Sequence, residues 1–269
     1  MSQTYTIEDL IYLMSRLRDP DTGCPWDCEQ DFRSLTPYTI EEVYEVVDTI
    51  ERGDIEHLSE ELGDLLFQVV FYARVAEEQQ QFDFNDIVNN IVGKLVSRHP
   101  HVFPDGTLHS ERRDNVQPGQ EAINAKWEEL KQQERARKGN HGLLADIPPS
   151  LPALARAQKV QKRAAKVGFD WQGLSQVVDK IDEEIEELKQ ALSQGSSENI
   201  ADEIGDLLFT AVNLARHAGF DAESLMRQAT GKFESRFSLV EGYATAADQP
   251  LTELSPGELD TLWRRAKRQ

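Results

Sequence analysis

The sequence predicts an all-α protein built as a tandem repeat of two related helical bundles. Apolar residues recur at helical spacing through most of the chain, beginning with Ile7, Leu10, Ile11 and Met14. No alternating run of β-branched residues is long enough to predict a sheet. A segment of the first half returns in the second half, which indicates a duplicated unit.

Composition and charge narrow the class of protein further. Of 269 residues 39% are hydrophobic, and no run of about 18 apolar residues predicts a membrane-spanning helix. The formal net charge of −19 has the wrong sign for a protein that coats nucleic acid. Residues 1–5 lack the basic and apolar start of a secretory signal. We therefore expect a cytoplasmic protein with neither nucleic-acid nor membrane partners.

The duplication is defined by matches at a constant displacement of 142 residues, from position 61 to position 203. Residues 61–67, Glu-Leu-Gly-Asp-Leu-Leu-Phe, return as residues 203–209, Glu-Ile-Gly-Asp-Leu-Leu-Phe. Each half also closes with a Trp-x3-Lys pattern, at Trp127/Lys131 and Trp263/Lys267. A stretch rich in Pro and Gly at 139–152 predicts a linker. We expect one domain over residues 1–140 and the other over residues 141–269.

Each half carries two helical segments rich in carboxylates. In the first half Glu41-Glu42-x-x-Glu45 precedes a helix break at Gly53-Asp54, and Glu61-x-x-Asp64 follows it. Carboxylates three residues apart share a helix face, and a short connection makes two helices antiparallel neighbours. Four carboxylates can therefore converge in each half: Glu42, Glu45, Glu61 and Asp64 in the first, and Glu184, Glu187, Glu203 and Asp206 in the second.

These carboxylates either form a solvated face of an acidic protein or bind a cation. The apolar runs that follow Asp64 and Asp206 predict buried helices, on which unpaired carboxylates are costly. Gly63 and Gly205 each cost a helix about 1 kcal/mol, which makes sense if a ligand approaches the backbone there. Both features favour a cation site, and an all-oxygen site suits Mg²⁺ or Mn²⁺.

Two other metal classes are disfavoured by the residues themselves. A di-iron bundle needs Glu-x-x-His pairs, and none of the six histidines has a Glu three residues before it. Zinc is disfavoured because Cys24 and Cys28 lack a second pair of Cys or His ligands.

The combined pattern resembles the MazG family of nucleoside triphosphate pyrophosphohydrolases, in its two-domain bacterial form. The resemblance covers nearly the whole chain through motifs in a fixed order, at residues 16–20, 23–27, 38–64, 98–103, 151–154, 167–171 and 267–269. It implies an all-α bundle that forms a homodimer. It also implies cleavage of nucleoside triphosphates to monophosphate and pyrophosphate with Mg²⁺, for which Mn²⁺ is a possible substitute.

The resemblance further implies roles for individual residues. The catalytic metal ligands would be the four second-half carboxylates named above, and the four first-half carboxylates would form an equivalent set. The family's basic residues on the phosphate side fall on Lys180, Lys232 and Arg236. Its late aromatic residue falls on Trp263, and stacking on a base of any kind would give broad base specificity.

The two halves differ at one of these positions, because the counterpart of Lys180 in the first half is Tyr38. We therefore expect the second half to hold the main catalytic site. Two other functions compete with hydrolysis. A regulatory scaffold that binds metal without turnover is disfavoured by the intact carboxylates of both halves, and a carboxylate-bridged redox protein is disfavoured by the missing histidines.

Overall fold

The structure of the chain, a computed structural model, describes residues 4–111, 119, 122–123, 126–127 and 142–268. The chain divides into two compact units, Met1–Gln132 and Gln133–Gln269. In the described part ten α-helices have both ends defined and no strand is formed, which confirms the predicted all-α class. The predicted domain boundary at residue 140 lies outside the described residues. So does Lys131, the lysine of the Trp-x3-Lys pattern in the first half.

The ten helices are shared equally between the two units. Those of the first unit are α1 (Ile7–Leu17), α2 (Pro25–Glu29), α3 (Thr36–Arg52), α4 (Ile55–Glu78) and α5 (Phe84–Arg98). Those of the second unit are α6 (Ala153–Ala165), α7 (Leu174–Gln194), α8 (Ser197–His217), α9 (Ala222–Ala246) and α10 (Pro256–Ala266), with a 3-10 helix at Leu251–Glu253. None of the described helices combines the length and apolar character needed to cross a membrane.

In each unit two long helices are joined by a two-residue connection and pack along one another as a hairpin. Gly53 ends α3 with a φ of 70°, and the Asp54 side chain accepts a hydrogen bond from the N–H of His57 at the start of α4. Gly195 ends α7 with a φ of 72°, and Ser196 caps α8 in the same way. Glycine is the residue that adopts this left-handed conformation without steric penalty, so both predicted helix breaks are confirmed.

The core of the first unit forms where α1 packs on α4. Met14 of α1 and Val70, Phe71 and Val75 of α4 are almost fully buried, together with Leu35. These residues follow the helical spacing of the apolar positions in the sequence. The carboxylates Glu61 and Asp64 of α4 come nine and six residues before Val70, the first of these core residues on the helix.

In the second unit α6 packs against α8 and α9, partly through buried glutamines. The Gln158 amide donates to the Phe220 carbonyl at 2.9 Å, and its carbonyl accepts from the N–H of Ala222 at 2.8 Å. The Gln161 amide donates to the Phe209 carbonyl at 2.8 Å. Because buried polar groups need such partners, these bonds fix α6 against the two helices.

The apolar runs after Asp64 and Asp206 are less buried than their composition predicts. On α4 Leu66 is 41% exposed, and on α8 Leu208 and Phe209 are 52% and 44% exposed. Within the described residues of the single chain, the predicted burial of these helices is therefore only partial. Each helix buries the stripe that faces its neighbours in the unit, and the described residues do not cover the rest.

The glycines inside these helices have open space beside them, so the predicted approach of a ligand to the backbone there stays a prediction. A Cβ added at Gly63 or Gly205 would meet no atom within 4 Å. Each glycine lies on a helix that also carries a carboxylate of the predicted site. No described residue therefore explains the glycines by packing.

Candidate metal and nucleotide site

The hairpin of the first unit brings together three of its four predicted ligands. Carboxylate oxygens of Glu42 and Glu45 on α3 and of Glu61 on α4 all lie within 4.8 Å of one another. We call these three residues the first-unit cluster. Asp64, one helical turn after Glu61, is exposed and lies outside this group.

The hairpin of the second unit repeats this arrangement. Glu184 and Glu187 on α7 and Glu203 on α8 form the second-unit cluster, again with oxygens within 4.8 Å of one another. Glu184 is only 4% exposed, whereas Asp206 is an exposed residue beside the cluster. The sequence thus correctly placed these carboxylates on facing helices, because the helix break fixes which turns meet.

Crowding of negative charge perturbs both clusters. Burial, followed by the charges of Asp64 and Glu45, raises the pKa of the Glu42 carboxyl above its usual value. Burial and the charges of Glu45 and Asp64 act in the same direction on the pKa of Glu61. In the second unit burial and neighbouring carboxylates raise the pKa of Glu203. Carboxylates held together against their repulsion favour the binding of a cation.

The donor atoms of the two clusters fit the predicted metals. All of them are carboxylate oxygens on well-formed helices, and hard cations such as Mg²⁺ and Mn²⁺ prefer oxygen ligands. Each cluster contains three of the four carboxylates that the sequence predicts as ligands, and Asp64 and Asp206 lie outside the clusters.

The second-unit cluster contains a lysine. Lys180, one turn before Glu184 on α7, places its Nζ 2.9 Å from Glu184 and 2.7 Å from Glu183, and 4.0 Å from Glu187. Hydrogen bonds to Glu183 and Glu184 raise the pKa of the Lys180 ammonium above its usual value, so it stays charged at neutral pH. Lys180, which the sequence predicts to bind phosphate, is thus paired with carboxylates in this structure.

The first-unit cluster has a neutral neighbour that sequence reasoning missed. Gln68 on α4 is 6% exposed and donates a hydrogen bond to the Glu42 carboxylate. Its own carbonyl oxygen is buried without a partner among the described residues. The sequence feature that could have indicated this residue is a single glutamine inside the apolar run 65–73. The corresponding position in the second unit is Thr210.

The remaining predicted contacts lie on α9 and α10. Lys232 is exposed and Arg236 half-buried, and neither forms an ion pair with a carboxylate in the described part of the chain. The Trp263 ring lies 5.1 Å from the Phe233 ring, between centroids, and Lys267 Nζ lies 5.7 Å from the Trp263 centroid. Sequence reasoning missed Phe233, whose partial exposure makes a second aromatic surface beside Trp263.

Together these features define an α-helical protein with two repeated carboxylate clusters, one of which includes a lysine. The profile of the MazG nucleotide pyrophosphohydrolase domain matches residues 30–103 and 172–240, the segments that hold the two hairpins. The chain belongs to the MazG family. Membership confirms the predicted family and the predicted enzyme class, a hydrolase that acts on phosphoric anhydrides.

Several relatives match almost end to end. The nucleoside triphosphate pyrophosphohydrolase of Escherichia coli K12 is 49% identical over 265 residues, 98% of this chain and 97% of that protein. The nucleoside triphosphate pyrophosphohydrolase/pyrophosphatase MazG of Thermotoga maritima is 40% identical over 97% of this chain and 95% of its own. An uncharacterized Bacillus subtilis protein, YabN, is 39% identical over 95% of this chain, which spans 50% of that protein.

Proposed function

We propose that the chain hydrolyses nucleoside and deoxynucleoside triphosphates to monophosphate and pyrophosphate in a reaction that depends on Mg²⁺, or on Mn²⁺ in its place. The observation that carries the proposal is the second-unit cluster, three carboxylates from two facing helices with a lysine beside them. The near full-length match to relatives named as nucleoside triphosphate pyrophosphohydrolases supports the same reaction.

The carboxylates would hold the cation on the face of the hairpin. A bound divalent cation neutralises phosphate charge and stabilises the charge that develops on phosphoryl oxygens. Without it, the chain's net charge of −19 and the cluster itself would repel a triphosphate. Asp206 is exposed beside the cluster, where it is available to orient water and accept its proton.

Basic side chains of the second unit would bind the phosphates. Lys232 and Arg236 are one turn apart on α9 and therefore share a helix face. Neither is committed to an ion pair within the described residues, so both are free to bind an anion. Trp263 and Phe233 would offer aromatic faces to the base, and stacking accepts any base, so we propose broad base specificity.

We propose the second unit as the main catalytic site and a homodimer as the working form. Lys180 gives the second unit a charge that Tyr38 does not supply in the first. An apolar cavity of about 190 Å³ between α6, α8 and α9, lined by Leu208, Leu225 and Met226 among others, leaves apolar surface uncovered in the single chain. A second copy would cover this surface.

A substrate panel with product identification tests the proposed reaction. Each nucleoside triphosphate and deoxynucleoside triphosphate is incubated with the full chain and Mg²⁺, and phosphate is assayed with and without added inorganic pyrophosphatase. We expect phosphate only when pyrophosphatase is present, with the monophosphate as the other product, and we expect EDTA to abolish it. Phosphate released without pyrophosphatase, or no turnover of any nucleotide, would contradict the proposal.

A further inference from the structure

Among the described residues, the two carboxylate clusters differ in whether a cationic side chain contacts them. In the second unit Lys180 Nζ lies 2.9 Å from Glu184 and 4.0 Å from Glu187, two members of the cluster. The Glu184 side chain is 5% exposed and the Lys180 side chain 29% exposed, so water screens this pair only in part. The ammonium therefore occupies the negative field that a divalent cation would use.

In the described part of the first unit no cationic side chain takes this place. Tyr38 stands at the position of Lys180, and its ring contacts the edge of Trp26 with centroids 5.6 Å apart. Within the described residues no lysine, arginine or histidine forms an ion pair with Glu42, Glu45 or Glu61. Gln68, a neutral amide, donates a hydrogen bond to Glu42 of this cluster. Among the described residues, the negative charge of the first-unit cluster is thus not offset by an ion pair.

A metal ion that enters the second-unit cluster meets a like charge. It must either displace the Lys180 ammonium from Glu184 or bind beside it, and both weaken its binding. A triphosphate changes this balance, because its oxygens can take over the ammonium that the carboxylates release. Metal and nucleotide would then strengthen each other's binding in the second unit, as linkage requires.

We propose that Lys180 is an internal counter-cation which makes the second unit bind divalent metal weakly until a triphosphate arrives, whereas the first unit binds metal tightly without nucleotide. The inference rests on the proposed function, since it takes both clusters to be metal sites. It assigns Lys180 a role in metal loading in addition to its contact with phosphate. It also gives the two units different metal affinities despite identical ligands.

The test is a titration of the full chain with Mn²⁺ alone, with free Mn²⁺ followed by electron paramagnetic resonance. We expect two classes of site, with affinities that differ about tenfold or more. Glu45→Gln should remove the tight class, and Glu187→Gln should remove the weak class. A single class of identical sites in the wild-type chain would overturn the inference.

Substitution of the lysine then tests its role directly. Lys180→Met should tighten the weak class about tenfold, whereas Lys180→Arg, which keeps the charge, should leave it weak. The matched control is Lys189→Met, because Lys189 is also on α7 and pairs with Glu186 at 2.7 Å, outside the cluster. Equal effects of Lys180→Met and Lys189→Met, or none from either, would overturn the inference.

The reciprocal change in the first unit keeps the test decisive if Lys180→Met fails to fold. Tyr38→Lys should weaken the tight class, and Tyr38→Phe should not. Unchanged tight binding in Tyr38→Lys would count against the counter-cation. Pyrophosphate release from ATP at saturating Mn²⁺ is measured separately, and its absence would refute the proposed function while the Mn²⁺ affinities still decide the inference.

Discussion

At the scale of single residues, repulsion among carboxylates and their few compensating contacts control both clusters. Glu203 has a raised pKa because it is partly desolvated and faces Glu187 and Glu184. Lys180 relieves part of this repulsion in the second unit, and Gln68 stabilises Glu42 in the first. The residues proposed for metal binding are thus unfavourable for the metal-free fold, which separates their role from structural support.

Glu203→Gln is expected to abolish triphosphate hydrolysis while the thermal midpoint of the metal-free protein stays level or rises. The substitution removes a ligand and also removes a negative charge from a crowded site. Steady-state hydrolysis and thermal unfolding in EDTA measure the two effects. Glu241→Gln, on an exposed position of α9, is the control and should change neither. Unfolding of Glu203→Gln would instead indicate a structural role.

A second residue-scale prediction concerns a carboxylate with the opposite shift. Asp170 accepts hydrogen bonds from Arg216 and from His217, and these bonds hold the pKa of its carboxyl below the usual 3.8. A lowered folded-state pKa contributes stability above pH 3.8, and this contribution disappears as the pH falls through the folded value. Asp170→Asn should therefore lower the free energy of unfolding at pH 7 by about 1–3 kcal/mol.

Urea unfolding at pH 7 and at pH 3 measures this effect. The difference between Asp170→Asn and the wild type should shrink as the pH falls below the usual 3.8 toward the lowered folded-state pKa of Asp170, and should therefore be smaller at pH 3 than at pH 7. Asp260→Asn, which breaks an exposed pair with Arg264, is the control and should cost less than about 1 kcal/mol. A difference that grows in acid would contradict the assigned ion pair.

At the scale of elements, the hairpin is the unit that builds each site. A helix, a glycine in the left-handed conformation and a capped second helix recur in both units. This connection decides which turns of the two helices face each other, and so which carboxylates meet. Glycines at the connection and glycines inside the second helix have different reasons to be there.

Alanine substitution separates these reasons. Gly195→Ala should destabilise the second unit by about 1–2 kcal/mol, because Gly195 has a φ of 72°. Gly205→Ala should stabilise it by up to about 1 kcal/mol, because the position is helical and has open space for a Cβ. Thermal unfolding and hydrolysis of ATP are measured for both variants.

The Gly205→Ala variant also tests whether something approaches the helix there. We expect its hydrolysis to fall despite greater stability, if substrate or a second copy uses the open space. Gly63→Ala is the matched variant in the first unit and should retain hydrolysis. Full activity in Gly205→Ala would show that neither substrate nor partner needs the glycine.

At the scale of the whole molecule, the two units share the same helical hairpin but differ in the side chains beside its carboxylates. Asp206→Asn should remove most triphosphate hydrolysis, whereas Asp64→Asn should leave most of it, because only the second unit has Lys180 beside its cluster. One phosphate contact by a cation is worth about 1.5–3 kcal/mol, or roughly ten- to a hundredfold in affinity. Comparable losses in the two variants would show that Lys180 does not decide the main site.

The uncovered apolar surface predicts the oligomeric state. Leu208 is 52% exposed and Met226 50% exposed around the apolar cavity of the second unit. Light scattering at micromolar concentration should return the mass of a homodimer. Leu208→Asp together with Met226→Asp should shift the mass toward the monomer. A monomeric wild-type chain would contradict the prediction.

Much of the fold and of the site was predictable because it depends on local sequence. Helical spacing gave the all-α class, the repeated segment gave the two units, and Gly53 and Gly195 gave the helix breaks. The breaks then placed Glu42, Glu45 and Glu61 on facing turns. Residue type and spacing suffice for such features, since they concern neighbours within one helix or across one short connection.

The sequence by itself therefore determined the family, the hairpins and the candidate ligands, whereas the tertiary structure decided their surroundings. Only the structure placed Lys180 on Glu184 and Gln68 on Glu42, and only it showed that Leu208 and Phe209 are exposed on α8, a helix that the sequence predicts to be buried. The burial and the ion pairs of a residue depend on which side chains other helices bring close to it. The spacing of residues along one helix does not predict those contacts. Charge and exposure at each cluster were thus settled by packing between elements.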